Sequence, residues 1–178
     1  MTNSSLQTLA SYVPALVIRR FNAGLTAVDE PSAEAFPALA LFADISGFTA
    51  LTERLAARGP SGAEDLTRYL STYFGELIQF ISEAGGDTVK FAGDALLALW
   101  PAQDPAQLPA LALTVASVAQ RIQARLNDFE VGEDVRLSLK VAVGAGQVAA
   151  LQLGGVFNRW ELLVAGSPLS QVGIANGQ

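Results

Sequence analysis

Leu39-Ala40-Leu41-Phe42-Ala43-Asp44-Ile45-Ser46-Gly47-Phe48-Thr49 is the stretch on which the reading of the fold turns. From Leu39 to Ile45 it is apolar except for Asp44, which suits a buried strand. Ser46-Gly47 then turns the chain into a helix expected over Phe48 to Ala57. The order is strand, tight turn, helix, with a carboxylate at the end of the strand.

Toward the C-terminus, Gly59-Pro60-Ser61-Gly62 breaks that helix. Leu66, Leu70, Tyr73, Phe74, Leu77, Ile78 and Ile81 then recur at intervals of three and four, which predicts an amphipathic helix ended by Gly85-Gly86. Thr88 to Ala92 and Ala95 to Trp100 are apolar runs joined by Gly93-Asp94, and glycine first in a two-residue connection is the type II′ hairpin signal. Asp94 is therefore expected at a hairpin tip. A second long helix is expected over Pro105 to Phe129, followed by strands Val135 to Val143 and Gln147 to Leu153 around a glycine turn, and a last strand over Asn158 to Val164.

Toward the N-terminus, Val13, Leu16, Val17 and Phe21 predict a short amphipathic helix within 11–25, and 26–37 reads as a linker. The expected division is an N-terminal helix and linker over 1–37 and a domain over 38–178. The order βααββαβββ implies an α+β fold of ferredoxin-like or palm type, a mostly antiparallel sheet with helices packed on it.

Composition narrows the chemistry. The 178 residues are 51% hydrophobic and 16% charged, enough apolar material for one domain with a sizeable core. There is no cysteine and no histidine, which excludes disulfides, Cys/His metal sites and histidine-based triads. The net charge of −6 argues against a nucleic-acid partner and suits divalent cations. No apolar run reaches the roughly 18 to 20 residues that cross a bilayer, and Met1 to Leu9 has no basic or apolar leader pattern. A cytoplasmic protein without membrane contact is the expectation.

Asp44 precedes a turn whose backbone N–H groups open a helix and can hold an anion. Taken alone, it reads first as a cap or turn residue until a second carboxylate joins it, and Asp94 reads equally as a plain turn aspartate. If the hairpin pairs beside the first strand, both carboxylates reach one sheet edge and can share two cations. Lys90 and Lys140 each place a cation in an apolar neighbourhood, with a snorkelling surface lysine as the bland alternative. The combination favours metal-assisted phosphoryl chemistry.

The strings Phe42 to Thr49 and Lys90-Phe91-Ala92-Gly93-Asp94-Ala95-Leu96-Leu97-Ala98-Leu99-Trp100 resemble the class III nucleotidyl cyclases, the second being similar to the soluble, bicarbonate-responsive adenylyl cyclases. The resemblance implies conversion of ATP to 3′,5′-cyclic AMP and pyrophosphate with two Mg2+ or Mn2+ ions. It assigns the metals to Asp44, Asp94 and the carbonyl of Ile45, and the phosphates to Ser46, Gly47, Phe48, Thr49 and Lys140. It places Lys90, Val164 and Ser167 in a base or anion pocket where bicarbonate is a candidate ligand. The family builds its sites between two cyclase domains, of one polypeptide or of a homodimer. Ser170 and Ile174 stand where an asparagine and an arginine are expected, and Gly173 where the bicarbonate arginine is expected. These departures imply the metal-bearing half of a tandem enzyme, ending inside its final helix at Gln178. Two rivals remain: a catalytically inactive cyclase-fold module binding nucleotide, anion or a partner domain, and a palm-fold diguanylate cyclase suggested by Gly85-Gly86-Asp87.

Overall fold

The computed structural model describes residues 13–22, 30–131 and 135–177. The central strand β1 (Ser32–Ser46) lies between β3 (Ala95–Pro101) and β5 (Arg136–Gly154), antiparallel to both. β2 (Asp87–Ala92) flanks β3, β4 (Phe129–Glu130) pairs with the start of β5, and β6 (Trp160–Gly166) pairs with its end. The connection from β1 to β2 runs through α2 (Phe48–Ala56) and α3 (Pro60–Glu83), and β3 inserts between the two strands. This is the split β-α-β arrangement of ferredoxin-like folds. After β3, a 3-10 turn at Pro105–Gln107 leads into α4 (Leu108–Leu126). The helix before the sheet is α1 (Ala15–Asn22), and α5 (Ser167–Gly177) follows β6.

Alternation along β1 divides the sheet into two faces. Leu39, Leu41, Ala43 and Ile45 are buried in the main core with Leu51 and Leu55 of α2, Tyr73, Leu77 and Ile81 of α3, and Val115, Val118, Ile122 and Leu126 of α4. Within this core the Tyr73 hydroxyl donates to the Leu126 carbonyl at 3.2 Å, and Trp100 Nε1 donates to the Ala84 carbonyl at 2.9 Å. On the other face Ala38, Ala40 and Phe42 pack against Leu169 and Val172 of α5, and Asp44 continues that row. The fold is the expected α+β class.

Several local expectations are corrected. Strand β1 begins at Ser32, so 32–37 is sheet, and Pro37 lies where β3 no longer pairs and no N–H is required on that side. Val135 to Val143 and Gln147 to Leu153 form one continuous strand through the glycines, not two around a turn. A Cβ at Gly144 would lie 2.3 Å from the Pro168 carbonyl oxygen, so this glycine makes room for α5. Lys140 and Lys90 are exposed. The alternation of β5 puts Arg136, Ser138 and Lys140 on the face away from α2, α3 and α4, and with both lysines exposed neither stands in an apolar interior. The expected N-terminal helix is present as α1, while 11, 12 and 23–25 lie outside the described residues. Among the described residues no helix is long and apolar enough to cross a membrane.

Because α5 rests on the glycine segment of β5, Gly144→Ala is expected to cost about 1–3 kcal/mol through overpacking. Urea unfolding of parent and variant measures it. An unchanged midpoint would show that α5 does not bear on β5.

Candidate active site

Register brings the expected residues together at one end of the sheet. Asp44 is the cross-strand partner of Ala95 on β3 and of Lys140 on β5. Asp94 precedes Ala95 in the β2–β3 turn, and its carbonyl accepts the Ile45 N–H at 3.4 Å, which ties the hairpin tip to the end of β1. Gly93 has φ +65° and Asp94 does not have a positive φ, the pattern of the expected turn. Both aspartates are half-buried.

Ile45 buries its side chain in the helical core, so only its main chain is left to serve the site. The chain then passes Ser46 to Gly47, whose φ of +95° and 3.0 Å approach of a Cβ to the Arg136 carbonyl oxygen require glycine. Gly47 is the N-cap of α2 and supplies no side-chain cap, so the first-turn N–H groups are left to other acceptors. The Thr52 hydroxyl donates to the carbonyls of Phe48 and Thr49 at 3.1 and 2.8 Å.

The electrostatics of this corner are those of uncompensated carboxylates. Asp94 has no side-chain hydrogen bond or ion pair among the described residues, and Lys140 makes no ion pair there. Asp44 is held by a neutral group: Asn176 Nδ2 of α5 donates to Asp44 Oδ2 at 3.1 Å. Asn176 Oδ1 is buried without a partner. No group of three or more His, Cys, Asp or Glu stands together among the described residues. The oxygen-bearing groups that the register brings to this corner are the carboxylates of Asp44 and Asp94 and the main chain of Ile45, and oxygen donors are the kind that hard divalent cations take.

The residues expected to line a base or anion pocket lie on β2, β6 and the start of α5. Lys90 Nζ donates to Glu161 Oε1 of β6 at 3.0 Å, so its charge is already met, and the sheet curls enough for this bridge to span from β2 to β6. Val164, like Val89, packs against the smaller core, and Ser167 opens α5 against Gly146. Ser170 and Ile174 are exposed on α5. Gly85-Gly86 closes α3, and Asp87 caps a helix: its Oδ1 and Oδ2 accept the N–H groups of Ala15 and Leu16, each at 2.8 Å. That use removes the diguanylate-type hairpin reading of this tripeptide. Sequence reasoning missed both Asp87 and Asn176, because each finds its partner more than 70 residues away.

The adenylate and guanylate cyclase catalytic domain family matches residues 33–163. Adenylate cyclase type 10 of Rattus norvegicus is 31% identical over 177 residues, 98% of this chain and 11% of its own length. The Homo sapiens protein of that name is 30% identical over 169 residues, 94% of this chain and 10% of its own length. The chain thus spans about a tenth of the length of these relatives. Among solved structures, a bacterial light-regulated adenylyl cyclase superposes with a TM-score of 0.69 at 22% identity, over 96% of this chain and 46% of that one, a likeness of fold.

The contrast between two hairpin aspartates is testable. Asp87→Ala removes two helix-capping bonds and is expected to cost about 0.5–2 kcal/mol. Asp94→Ala, with no side-chain partner to lose, is expected to stay within about 0.5 kcal/mol of the parent. Thermal melts of the pair decide it, and a reversed ranking would show that Asp94 holds the hairpin.

Proposed function

The chain belongs to the adenylate and guanylate cyclase catalytic domain family, and from that premise we propose that it is the metal-bearing half of an adenylyl cyclase site, converting ATP to 3′,5′-cyclic AMP and pyrophosphate. The observation that carries the reading is the convergence of Asp44 and Asp94, neither neutralised by a cationic side chain among the described residues, at the sheet end where Lys140 also stands. Resemblance to relatives named as adenylate cyclases favours adenine over guanine.

In this reading Asp44, Asp94 and the Ile45 carbonyl hold two Mg2+ or Mn2+ ions. Bound there, the ions supply the positive charge that lowers the pKa of the ribose 3′-hydroxyl and offsets charge at the α-phosphate. The first-turn N–H groups of α2, from Gly47 through Thr49, orient the phosphates, because a helix N-terminus favours negative charge. The 3′-hydroxyl gives its proton to solvent and its oxygen forms the bond to the α-phosphorus as the bond to the pyrophosphate oxygen breaks. Lys140, free of a carboxylate partner among the described residues, meets the charge that accumulates on the leaving pyrophosphate.

The domain is proposed to work with a second cyclase domain, in the same polypeptide or in a homodimer. Exposed Ser170 and Ile174 support this, since those two positions offer neither the amide nor the guanidinium that the resemblance implies there for the transition state. The same observation favours a second reading, a module that binds ATP and metal without turning it over. Bicarbonate is not proposed as a ligand, because the pocket's one lysine is engaged by Glu161 and Gly173 contributes no charge.

Mn2+-dependent ATP binding and cyclic AMP formation by the purified chain separate these readings. Binding is expected, and it should be lost in both Asp44→Ala and Asp94→Ala, with turnover low until a complementary cyclase domain is added. Binding that survives both substitutions would remove the metal assignment. Binding without turnover under every pairing would select the inactive module.

A further inference from the structure

We propose that Asn176 is a positioning residue of the cation site: its Nδ2 fixes one oxygen of Asp44, and its Oδ1 stands as an acceptor that the hydrated cation completes. The inference rests on the metal-site reading above and adds to it a residue that lies outside both cyclase-like motifs.

The contact joins opposite ends of the chain. Asn176 Nδ2 donates to Asp44 Oδ2 at 3.1 Å across a separation of 132 residues. The donor's chemistry suits the task. An ammonium group here would neutralise the carboxylate and compete with a divalent cation, whereas a neutral amide fixes Oδ2 and leaves both the charge and Oδ1 available. Lys140, directly across the strand, makes no ion pair with Asp44. Its Nζ sits instead at the end of α5, 3.7 Å from where a Cβ on Gly177 would lie.

The other half of the amide carries the second observation. Asn176 Oδ1 is buried and has no hydrogen-bond partner. A buried acceptor left unmade is costly, and because the other end of the same amide stands on Asp44, the donor proposed for this acceptor is a water of the hydrated cation. Helix capping does not account for the residue, because the positive φ at the end of α5 belongs to Gly177 and not to Asn176.

Finally, α5 is anchored well enough to hold the amide in place. Gln171 reaches the β5 backbone with both ends of its side chain, Oε1 accepting from Ala145 N–H at 3.1 Å and Nε2 donating to the Ala145 carbonyl at 2.8 Å. Val172 is buried against the sheet, and Pro168 sits over Gly144. A group carried by an element locked in this way orients a ligand more accurately than one on a loop.

The test is Mn2+ binding to the full chain in the presence of a non-cyclisable ATP analogue, read by the paramagnetic resonance of free Mn2+, with melting temperatures measured alongside. Asn176→Ala is expected to weaken Mn2+ binding about 10- to 100-fold, as loss of a group that supports a metal ligand does, while its metal-free melt stays near the parent's. The isosteric Asn176→Asp places a carboxylate against Asp44. It should melt lower than the parent without metal and gain more from Mn2+ than the parent does. Parent-like Mn2+ affinity in Asn176→Ala, with binding lost in Asp44→Ala, would overturn the role of Asn176 and leave the metal site standing. Parent-like affinity in Asp44→Ala as well would overturn the metal reading itself. If Asn176→Ala proves unstable, an Asn176→Asp protein whose melt matches the parent's with and without Mn2+ overturns the proposal.

Discussion

The register of β1 between β3 and β5 is the constraint on which the candidate site depends. Asp44 faces Ala95 on one side and Lys140 on the other only because the ladders are in that register. A slip of one residue would carry Asp44 into the helical core and send Leu41 and Ala43 to the opposite face. Burial therefore enforces the register: Leu39, Leu41, Ala43 and Ile45 are each at most 2% exposed beneath three helices. The hydrophobic effect acting on the odd positions thereby places the polar atoms of the even ones.

The two faces of the sheet are built differently, and the difference bears on function. The helical face is packed with large side chains from α2, α3 and α4. On the other face α5 packs over β1 and β5, resting on a glycine-lined stretch of β5 where backbone meets backbone. Between α5 and β3 it leaves a largely apolar cleft of about 410 Å3, with Phe42, Leu97, Leu169, Val172 and Asn176 in its lining. An amide at the end of that helix reaches the carboxylate at the end of β1 for this reason: the helix crosses the sheet close in.

Charge is distributed with comparable economy. Asp65, Glu76 and Asp128 are paired with arginines, Glu161 with Lys90, and Asp87 with the N-terminus of α1. Exposed pairs of this kind add little stability, but they show which carboxylates already have partners. Asp44 and Asp94 are not among those neutralised. A cation bound at their end of the sheet would meet the charge that no side chain among the described residues meets.

Much of this was legible from the amino-acid sequence. The apolar run ending in Asp44, the Gly93-Asp94 turn and the helical periodicity from Leu66 to Ile81 each follow from local rules of strand, turn and helix, and each element is present. The cyclase-like motifs lie within those local segments, so family membership was legible too. Local pattern misled where a residue's role was set by something distant. The glycines of β5 looked like a turn because glycine favours turns, yet they serve the close approach of α5. Lys140 looked interior because its neighbours are apolar, although strand alternation turns it outward.

By itself, then, the sequence determined the succession of elements, the α+β class and the two aspartates worth watching, since periodicity and turn chemistry act over a few residues. Only the tertiary structure decided that Lys90 is engaged by Glu161, that Asp87 holds α1, and that Asn176 stands on Asp44. Each of these contacts joins residues more than 70 positions apart, and such pairings are set by how packed layers bring distant surfaces together, which no local spacing records.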